Sequence, residues 1–415
     1  MSRVVVIGAG AAGIMAAIFA AKAGAETILL ERTRDGGRKI LISGGGRCNV
    51  LPMTLDESRF ITDSSPNILK KMIRAWPLAE QIAFFENDLN IPLVKEEESL
   101  KLFPASHKAR DVRDGLLQHA ENMGVDIRMN ALVTNVAPHE DGWRVSIEGQ
   151  APLNCDAVVI ATGGLSVPNT GSDGFGLRLL DQLGHTMHPT YAALTPVIAN
   201  SEDFAELSGV SLTVTIKAQS AEHNAAATGG FLFTHVGYSG PSVLDVSHVV
   251  VRARRENESA ATLRVQWTPL NAQEWEVALK PKGARTVTGA LRAEMPDRLA
   301  AVLIRRANIH PGQPLAELKR DDRLRLIDIL TRGELPWTGD EGYKKAEVTG
   351  GGVALADVDA RTMQSKKQRG LFLCGEVLDA FGPIGGYNFT WAWATGRAAG
   401  TGAASYASAT TAVRG

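Results

Sequence analysis

The chain has 415 residues, of which 44% are hydrophobic, with 44 Lys and Arg against 45 Asp and Glu. These proportions are typical of a folded globular protein and exclude a disordered or collagen-like chain. The net charge of −1 gives no electrostatic reason to expect binding to nucleic acid or to a membrane surface. The three cysteines, Cys48, Cys155 and Cys374, are far apart, which predicts no disulfide framework and favours a reducing, cytoplasmic setting.

Glycine is the unusual residue, because the 42 glycines are unevenly distributed. Residues 1–50 hold nine of them, residues 160–185 hold six and residues 350–402 hold eleven. Glycine permits a positive φ and lets another group approach the backbone closely. We therefore predict that three glycine-rich loops meet around one ligand.

Residues 3–30 predict a β–α–β unit. Arg3–Ile7 is a short apolar, β-branched run typical of a buried strand, and Glu26–Leu30 is a second one. The Ala-rich segment from about Ala11 to Ala23 predicts a helix between them. The uncharged run Val4–Ala21 would also suit a signal peptide or a short membrane helix, but it is interrupted by glycines that the β–α–β unit explains.

The next part of the chain predicts helices and then strands. Apolar residues recur every three or four positions in three segments, which predicts helices at Asn67–Trp76, Leu78–Asp88 and Ala109–Met123. Val125–Glu148 alternates in polarity around an Asp141–Gly142 turn and predicts a small β-meander. Ala157–Ala161 predicts another buried strand.

From about residue 194 the residue composition and the pattern of predicted elements change, and near residue 342 they return to those of the first part of the chain. The middle region predicts strands at Ser211–Ala218, Gly230–Thr234 and Thr262–Trp267 and helices at Leu291–Asn308 and Leu315–Leu330. Gly370–Cys374 then predicts a buried strand and Asn388–Ala399 a helix. We predict an α/β protein with one Rossmann-type domain from residues 1–193 and 342–415. Residues 194–341 would be an inserted substrate or cap domain, β-rich over 194–270 and helical over 285–335.

The first predicted loop carries a nucleotide-binding motif. Gly8-Ala9-Gly10-Ala11-Ala12-Gly13 is a GxGxxG directly after a strand and at the start of a helix. Its glycines permit a tight turn, close approach of a pyrophosphate and close packing of helix on strand, while the helix N-terminus offers N–H groups to the phosphates. Glu31 ends the second strand, where a carboxylate accepts hydrogen bonds from an adenosine ribose. Tight helix–strand packing alone would not explain Glu31.

The segment after the second strand favours FAD over NAD. Residues 36–49 read GGRKILISGGGRCN, whereas a simple NAD dehydrogenase has another helix there. A long loop of glycine and arginine suits a ligand that continues past its pyrophosphate, although an exposed basic loop is the alternative. The predicted contacts are the cations Arg38, Lys39 and Arg47 and the close-contact residues Ser43, Gly44 and Asn49.

Later strand ends supply further predicted contacts. Ala161-Thr162-Gly163-Gly164 ends one buried strand, and Gly375-Glu376 places a carboxylate at another, where it could accept bonds from ribityl hydroxyls. Gly385-Gly386-Tyr387-Asn388 precedes the last helix. The N-terminus of that helix could stabilise the negative charge of a reduced flavin at its N1/C2 carbonyl edge.

Long strings in the chain closely resemble the BaiN/YhiN-like family. They are GRKILISGGGRCN (37–49), KLFPASHKARDV (101–112), ATGGLSVPNTGSDGFG (161–176), FLFTHVGYSGPSVL (231–244) and TGGGVALADVDARTMQSKKQRGLFLCGEVLDAFGPIGGYN (349–388). These bacterial flavoproteins are usually labelled NAD(P)/FAD-dependent oxidoreductases, with aminoacetone oxidase among their relatives. The resemblance implies a two-dinucleotide-binding-type flavoprotein fold with bound FAD.

The resemblance also implies a set of FAD contacts. Val133, in the meander, would face the adenine. The full set is Gly8, Gly10, Ala12, Gly13, Glu31, Arg32, Arg38, Lys39, Ser43, Gly44, Arg47, Cys48, Asn49, Val133, Ala161, Thr162, Gly163, Gly375, Glu376, Gly385, Gly386 and Asn388.

The sequence gives weaker evidence for catalytic residues than for cofactor contacts. His235 and Ser239 would form a substrate-side wall over the flavin or, alternatively, a structural strand and turn. Cys48 would be a reactive thiol beside an arginine or a packed small residue near the cofactor. His185 and His188 are spaced for a metal, but no cysteine or carboxylate cluster accompanies them, so we predict no metal site.

The expected activity is hydride transfer between flavin N5 and a small organic substrate of amine or enone type. Because a second GxGxxG is not apparent, either NAD(P)H visits transiently or O₂ reoxidises the flavin. The alternatives are a non-catalytic flavin-binding sensor or scaffold and an FAD-dependent RNA-modifying enzyme, which the net charge disfavours. We expect a small-molecule substrate and neither a nucleic-acid nor a membrane partner, and the oligomeric state stays open.

Overall fold

A computed structural model describes residues 2–97, 99–140, 142–200, 202–255, 261–281 and 283–414. By internal contacts the chain forms two compact units, Met1–Thr190 with Val348–Gly415 and Tyr191–Glu347. Each unit has its own hydrophobic core. The domain borders expected from the sequence, 193/194 and 341/342, stay predictions.

The helices occur throughout the chain. Their bounds are α1 Ala11–Lys22, α2 Arg38–Ile42, α3 Pro66–Arg74, α4 Leu78–Ala83, α5 Ala109–Asn122, α6 Phe175–Gln182, α7 Glu202–Ala205, α8 Pro241–Arg255, α9 Ala272–Ala278, α10 Val287–Leu291, α11 Asp297–Arg306, α12 Arg320–Arg332 and α13 Tyr387–Arg414.

The strands are mostly short. They are β1 Arg3–Ile7, β2 Glu26–Leu30, β3 Leu51–Pro52, β4 Leu93–Glu96, β5 Lys101–Pro104, β6 Asp126–Arg128, β7 Val133–His139, β8 Gly142–Ile147, β9 Leu153–Cys155, β10 Ala157–Ile160, β11 Met187–Ala193, β12 Val197–Ile198, β13 Ser211–Gln219, β14 Asn224–Phe233, β15 Gly237–Ser239, β16 Thr262–Gln266, β17 Gly333–Glu334, β18 Gly339–Asp340, β19 Val348–Val353 and β20 Leu371–Leu373.

The first unit is built on a parallel sheet with the strand order β20-β10-β1-β2-β6. Its central strands are continuous apolar runs because both faces of the sheet are buried. The chain moves from β1 to β2 and β6 on one side and to β10 and β20 on the other. The carboxyl ends of the strands therefore lie at one edge of the sheet, which we call the carboxyl edge. The topological switch point lies there between β1 and β10, and ligands bind at such a point in sheets of this kind.

Helices α1 and α13 pack closely through glycine. A Cβ atom built on Gly396 would lie 2.4 Å from the Ala12 carbonyl oxygen, and one on Gly400 would lie 2.1 Å from that of Ala16. Only glycine lets the two backbones come this close. These two glycines of the third glycine-rich segment therefore serve helix packing, in and just after the predicted helix Asn388–Ala399.

Two predictions in the first unit need correction. Asp126–Arg128 belongs to the parallel sheet, where it pairs with β2, and the meander consists of β7, β8 and β9. A short strand carries no local signal of which neighbour it will join. The last helix is longer than expected, because the Ala-rich stretch after residue 399 continues to Arg414. Asp141 of the predicted turn lies outside the described residues.

The second unit has a sheet in the order β17-β16-β13-β14-β15-β12-β18. Helix α8 packs against β13 and β14, and aromatic side chains fill the core around Phe231, Phe233 and Trp267. Sequence analysis missed α8, so the region 194–270 is less purely β-rich than expected. The predicted helix Leu291–Asn308 begins too early, because α10 ends at Leu291 and α11 starts only at Asp297, after Pro296. Proline has no N–H for a hydrogen bond within a helix and therefore occurs at its start.

Candidate functional site

The loop after β1 combines two packed glycines with one open glycine. A Cβ atom on Gly13 would lie 1.8 Å from the Gly8 carbonyl oxygen, and one on Gly8, whose φ is +101°, would lie 2.6 Å from that of Ala161. A Cβ atom on Gly10 would have no described heavy atom within 4 Å. Gly10 is the N-cap residue of α1, and as a glycine it has no side chain to accept a hydrogen bond from the first N–H groups of the helix. The loop therefore leaves space directly at the free N–H groups of a helix N-terminus.

Glu31 ends β2 as a buried carboxylate, 8% exposed. Its Oε2 accepts from the backbone N–H of Ala9 at 2.8 Å. Its Oε1 accepts from the N–H of Thr33 at 2.8 Å and from its hydroxyl at 2.7 Å. A carboxylate offers about four acceptor positions, so roughly one is left for an outside hydroxyl. The next predicted contact, Arg32, instead forms an ion pair with Asp173.

The predicted loop of residues 36–49 contains the short helix α2. Gly44, Gly45 and Gly46 follow it with φ of +56°, +67° and +83°, a run of left-handed backbone that glycine adopts without strain. Gly44 lies against Asn49, whose backbone N would be 3.1 Å from a Cβ atom at Gly44. The Ser43 hydroxyl donates to the Ile40 carbonyl at 2.8 Å.

Ion pairs engage the three cations predicted to offset phosphate charge. Arg38 pairs with Asp35 at 2.7 Å, Lys39 pairs with Glu376 at 2.6 Å, and Arg47 pairs with Glu96 at 2.8 Å. Arg47 also stacks over Phe103 at 4.2 Å from the ring centroid. Their charges are therefore already balanced within the protein, which the sequence pattern did not indicate.

Cys48 is fully buried, and burial raises the pKa of its thiol to about 12. A thiol with this pKa is protonated at neutral pH and is a poor nucleophile. The role of Cys48 toward the cofactor stays a prediction, and its burial favours the packed small residue of the two alternatives.

A polar network surrounds Glu376 at the end of β20. Its Oε2 accepts from the Lys39 ammonium, which also donates to the Ser166 hydroxyl at 2.6 Å. Its Oε1 accepts from the Ser166 hydroxyl at 2.5 Å and from the N–H and hydroxyl of Thr349 at 2.9 and 2.8 Å. We call these four residues the Lys39 network. Sequence reasoning missed Ser166 and Thr349 because a hydroxyl inside a glycine-rich string has no distinguishing pattern.

The end of β10 places Ala161, Thr162 and Gly163 beside this network. Ala161 is buried under Gly8, and Gly163 has a φ of +71°. The Thr162 hydroxyl is buried and has no hydrogen-bond partner among the residues that the structure describes. A buried polar atom without a partner is costly, and it marks this strand end as a place where a ligand group could complete a bond.

Helix α13 fixes the turn at Gly375. The Gly375 N–H donates to the Thr395 hydroxyl at 3.0 Å, and its carbonyl accepts from the Trp391 indole at 3.1 Å. At the start of α13, the Asn388 side chain makes two 2.9 Å hydrogen bonds to the backbone of Gly382. Asn388 therefore orders the preceding loop.

The remaining predicted contacts are backbone or packing positions. Gly385 and Gly386 have φ of +120° and +92°, and a Cβ atom on Gly386 would lie 2.5 Å from the Leu51 backbone. Val133 is buried in β7 opposite Ile147.

His185 and His188 contact different partners in the structure. The buried His185 contacts the Ser365 hydroxyl at 2.7 Å, and burial lowers its pKa. His188 lies 3.6 Å from Asp379, a buried carboxylate that also accepts from the N–H and hydroxyl of Ser64, both at 2.8 Å. In the described ranges no three His, Cys, Asp or Glu side chains are grouped so that they could hold a metal.

The two catalytic candidates of the middle region lie in the second unit. His235 is exposed between β14 and β15, and Ser239 is the last residue of β15, half-buried and paired with Leu232. Their proposed role toward a substrate stays a prediction.

A family model described as the HI0933-like protein Rossmann domain matches residues 2–402. The chain belongs to this family. A ribosomal RNA dihydrouridine synthase of Escherichia coli (strain K12) is 32% identical over 94% of this chain and 95% of its own length. A 3-dehydro-bile acid delta(4,6)-reductase of Clostridium scindens is 30% identical over 97% of this chain and 99% of its own.

A solved structure of 3-ketosteroid delta1-dehydrogenase from Sterolibacterium denitrificans matches 98% of this HI0933-like chain and 100% of its own, with a TM-score of 0.54 and 11% identity. That likeness concerns the fold alone. The predictions of this family, of a Rossmann-type fold and of an FAD-dependent oxidoreductase are confirmed. The expectation that there is no nucleic-acid partner is not confirmed, because the Escherichia coli relative is named as a ribosomal RNA dihydrouridine synthase. Within the described residues, none of the helices is both long enough and apolar enough to span a membrane.

Proposed function

We propose that the carboxyl edge holds FAD and that the enzyme reduces a carbon–carbon double bond conjugated to a carbonyl group. The observation that carries the proposal is the open space at Gly10, the N-cap residue of α1, where an added Cβ atom would have no described heavy atom within 4 Å apart from those of its two chain neighbours. A pyrophosphate needs this combination of free N–H groups and close backbone approach.

The residues at the edge fit the other parts of FAD. Glu31 retains acceptor capacity for the adenosine ribose. The unpartnered Thr162 hydroxyl and the left-handed Gly163 and Gly375 lie at the ends of β10 and β20, on the other side of the switch point from Glu31. We assign the adenosine half to the β2 side and the flavin half to the β10 and β20 side.

Bound FAD supplies a hydride at N5 of its flavin ring. The protein supplies electrostatics and position. In the Lys39 network the Lys39 ammonium is held by Glu376 and Ser166 at 2.6 Å each. Glu376 balances its charge, and one of the three N–H donors of the ammonium is left for a ligand. A donor that is already fixed in position stabilises negative charge that develops nearby without reorganisation.

The proposed substrate class follows from what the two relatives have in common. Making dihydrouridine and reducing a bile acid at delta(4,6) each add hydrogen across a double bond conjugated to a carbonyl group. A hydride goes to the β carbon, a proton goes to the α carbon, and the carbonyl group delocalises the electron pair between the two steps. Transiently bound NAD(P)H would supply the two electrons. This selects the enone over the amine among the substrates expected from the sequence.

Anaerobic half-reactions test the proposal. The holoprotein should show an oxidised-flavin spectrum, bleach with NADH or NADPH, and regain colour when mixed with a 3-oxo-Δ4 steroid or a uridine-containing RNA oligonucleotide. A saturated ketone and an RNA of the same length without uridine serve as controls. A protein that stays colourless after reconstitution with FAD would refute the cofactor assignment. A reduced protein that only O₂ reoxidises would refute the reductase assignment.

A further inference from the structure

A cleft of about 720 Å³ lies in the first unit between α3 and residues 358–366. Its rim carries four cations, Lys71, Arg74, Arg361 and Lys366. Apolar atoms of Ile68, Ala75, Val358 and Ala360 line it as well. We call this feature the basic cleft.

Much of the positive charge of the basic cleft is not neutralised. Arg74 is paired with Glu57 at 2.8 Å, and the Lys366 ammonium donates to a backbone carbonyl at 2.8 Å. The side chains of Lys71 and Arg361 are exposed and have no ion pair or side-chain hydrogen bond in the part of the chain that the structure describes.

The acidic residue of the lining, Asp359, is occupied by its own loop. Its Oδ1 accepts from the N–H groups of Arg361 and Thr362 at 3.0 and 2.9 Å and from the Thr362 hydroxyl at 3.0 Å. These bonds, the Thr362 backbone bond first, lower the pKa of Asp359. Asp359 therefore shapes the loop that presents Arg361 through its Oδ1 atom, and its single negative charge is outnumbered by the four cations of the cleft.

A ligand that fits this surface has an anionic part and an apolar part. The volume is within the roughly 300–1,000 Å³ usual for ligand clefts, and arginine and lysine in the lining suit phosphate oxygens. We propose that the basic cleft binds the phosphates of a nucleotide ligand, with its base over the apolar lining.

Two sources of nucleotide phosphate follow from the proposed function, an RNA chain that carries a substrate base and the phosphorylated dinucleotide NADPH, so the choice of ligand rests on that function. The cleft itself is separate from the FAD assignment, because its cations belong to none of the FAD contacts.

Charge reversal tests the proposal on the holoprotein. The double variant Lys71→Glu/Arg361→Glu removes the two unpaired cations and leaves Arg74 with Glu57. The matched control Lys319→Glu/Arg320→Glu makes the same change in net charge at two exposed positions at the start of α12. The probes are a fluorescein-labelled single-stranded 12-mer RNA, measured by anisotropy between 50 and 200 mM salt, and NADPH, measured by calorimetry.

The cleft variant should bind at least one probe about tenfold or more weakly, while the control stays near the wild type. If RNA is that probe, the slope of log K against log salt should fall by about 1.4, because each of the two cations neutralises one phosphate of a single strand and each such phosphate adds roughly 0.7 to the slope. Weaker binding of RNA alone identifies the RNA chain as the ligand, and weaker binding of NADPH alone identifies the reductant.

Unchanged binding of both probes, no binding by the wild type, or an equal weakening in the control would overturn the proposal. Both variants should keep the FAD content and thermal stability of the wild type. A defect in flavin content therefore bears on the FAD assignment and not on the basic cleft.

Discussion

Replacing Gly10 by alanine should separate ligand binding from protein packing at the first loop. Gly10 has φ −80° and ψ −175°, which alanine adopts freely, and its added Cβ would meet no described heavy atom within 4 Å. The apoprotein should be as stable as the wild type or gain about 0.4–1 kcal/mol, because alanine restricts the unfolded chain. FAD affinity should fall about tenfold or more, or ~1.4 kcal/mol, because the methyl group occupies the space assigned to the pyrophosphate.

Gly13→Ala is the matched comparison, with the same methyl group three residues further on. Its Cβ would lie 1.8 Å from the Gly8 carbonyl oxygen and 3.1 Å from the Ala161 Cβ. Helix α1 would have to move away from β1 by more than an ångström. Overpacking of this kind costs roughly 1–3 kcal/mol or more, so the free energy of unfolding of the apoprotein should fall by about 3 kcal/mol or more, with FAD binding abolished as a consequence.

Urea unfolding of the apoproteins and fluorescence titration with FAD measure the two effects separately. The reasoning fails if Gly10→Ala binds FAD with the wild-type Kd, since the pyrophosphate would then lie elsewhere. It also fails if Gly10→Ala destabilises the apoprotein as much as Gly13→Ala does, since the space at Gly10 would then not be open.

Three further predictions concern buried groups. Glu31→Gln should lower the free energy of unfolding by about 1–3 kcal/mol, because the new amide nitrogen must face a buried N–H donor. It should also weaken FAD binding. An unchanged midpoint of urea unfolding would contradict this prediction. Burial raises the pKa of the Asp379 carboxyl, so the folded protein keeps a proton that the unfolded chain releases, and this group's contribution to stability declines as the pH rises above about 4. The stability of Asp379→Asn relative to the wild type should therefore rise between pH 4 and 7. If the free energies of unfolding of the two proteins changed with pH in parallel, the raised pKa of Asp379 would be refuted. Because Cys48, Cys155 and Cys374 are all buried, a thiol reagent at pH 8 should react rapidly with them only after unfolding in guanidinium chloride, and a fast reaction in the native protein would disagree with the structure.

The β–α–β unit could be predicted because each of its parts has a local cause. The apolar runs of β1 and β2 reflect burial on both faces of the sheet, and Gly8 and Gly13 are required by contacts made within the motif itself or with the adjacent strand. Glu31 could be predicted for the same reason, since its distance from the glycines is fixed by the length of the unit.

Features that depend on distant parts of the chain could not be predicted. The Lys39 network joins residues from four separate segments, and only the three-dimensional structure shows that Ser166 and Thr349 converge on Glu376. Six of the first seven residues of β14 are Asn, Ala or Gly, which are rare in strands, and this part of the strand forms because β13 pairs with it.

The dependence of the carboxyl edge on α13 has a consequence for biosynthesis. Strand β10 ends at Ile160, and its neighbour β20 begins only at Leu371. At roughly 5–20 residues per second, tens of seconds of translation separate the two strands. The middle region, Tyr191–Glu347, is contiguous in the chain and can form its own core on the ribosome during that interval. The first half of the chain therefore has an unpaired strand edge during that interval, and the proposed cofactor site is completed only after β20 and α13 have been synthesised.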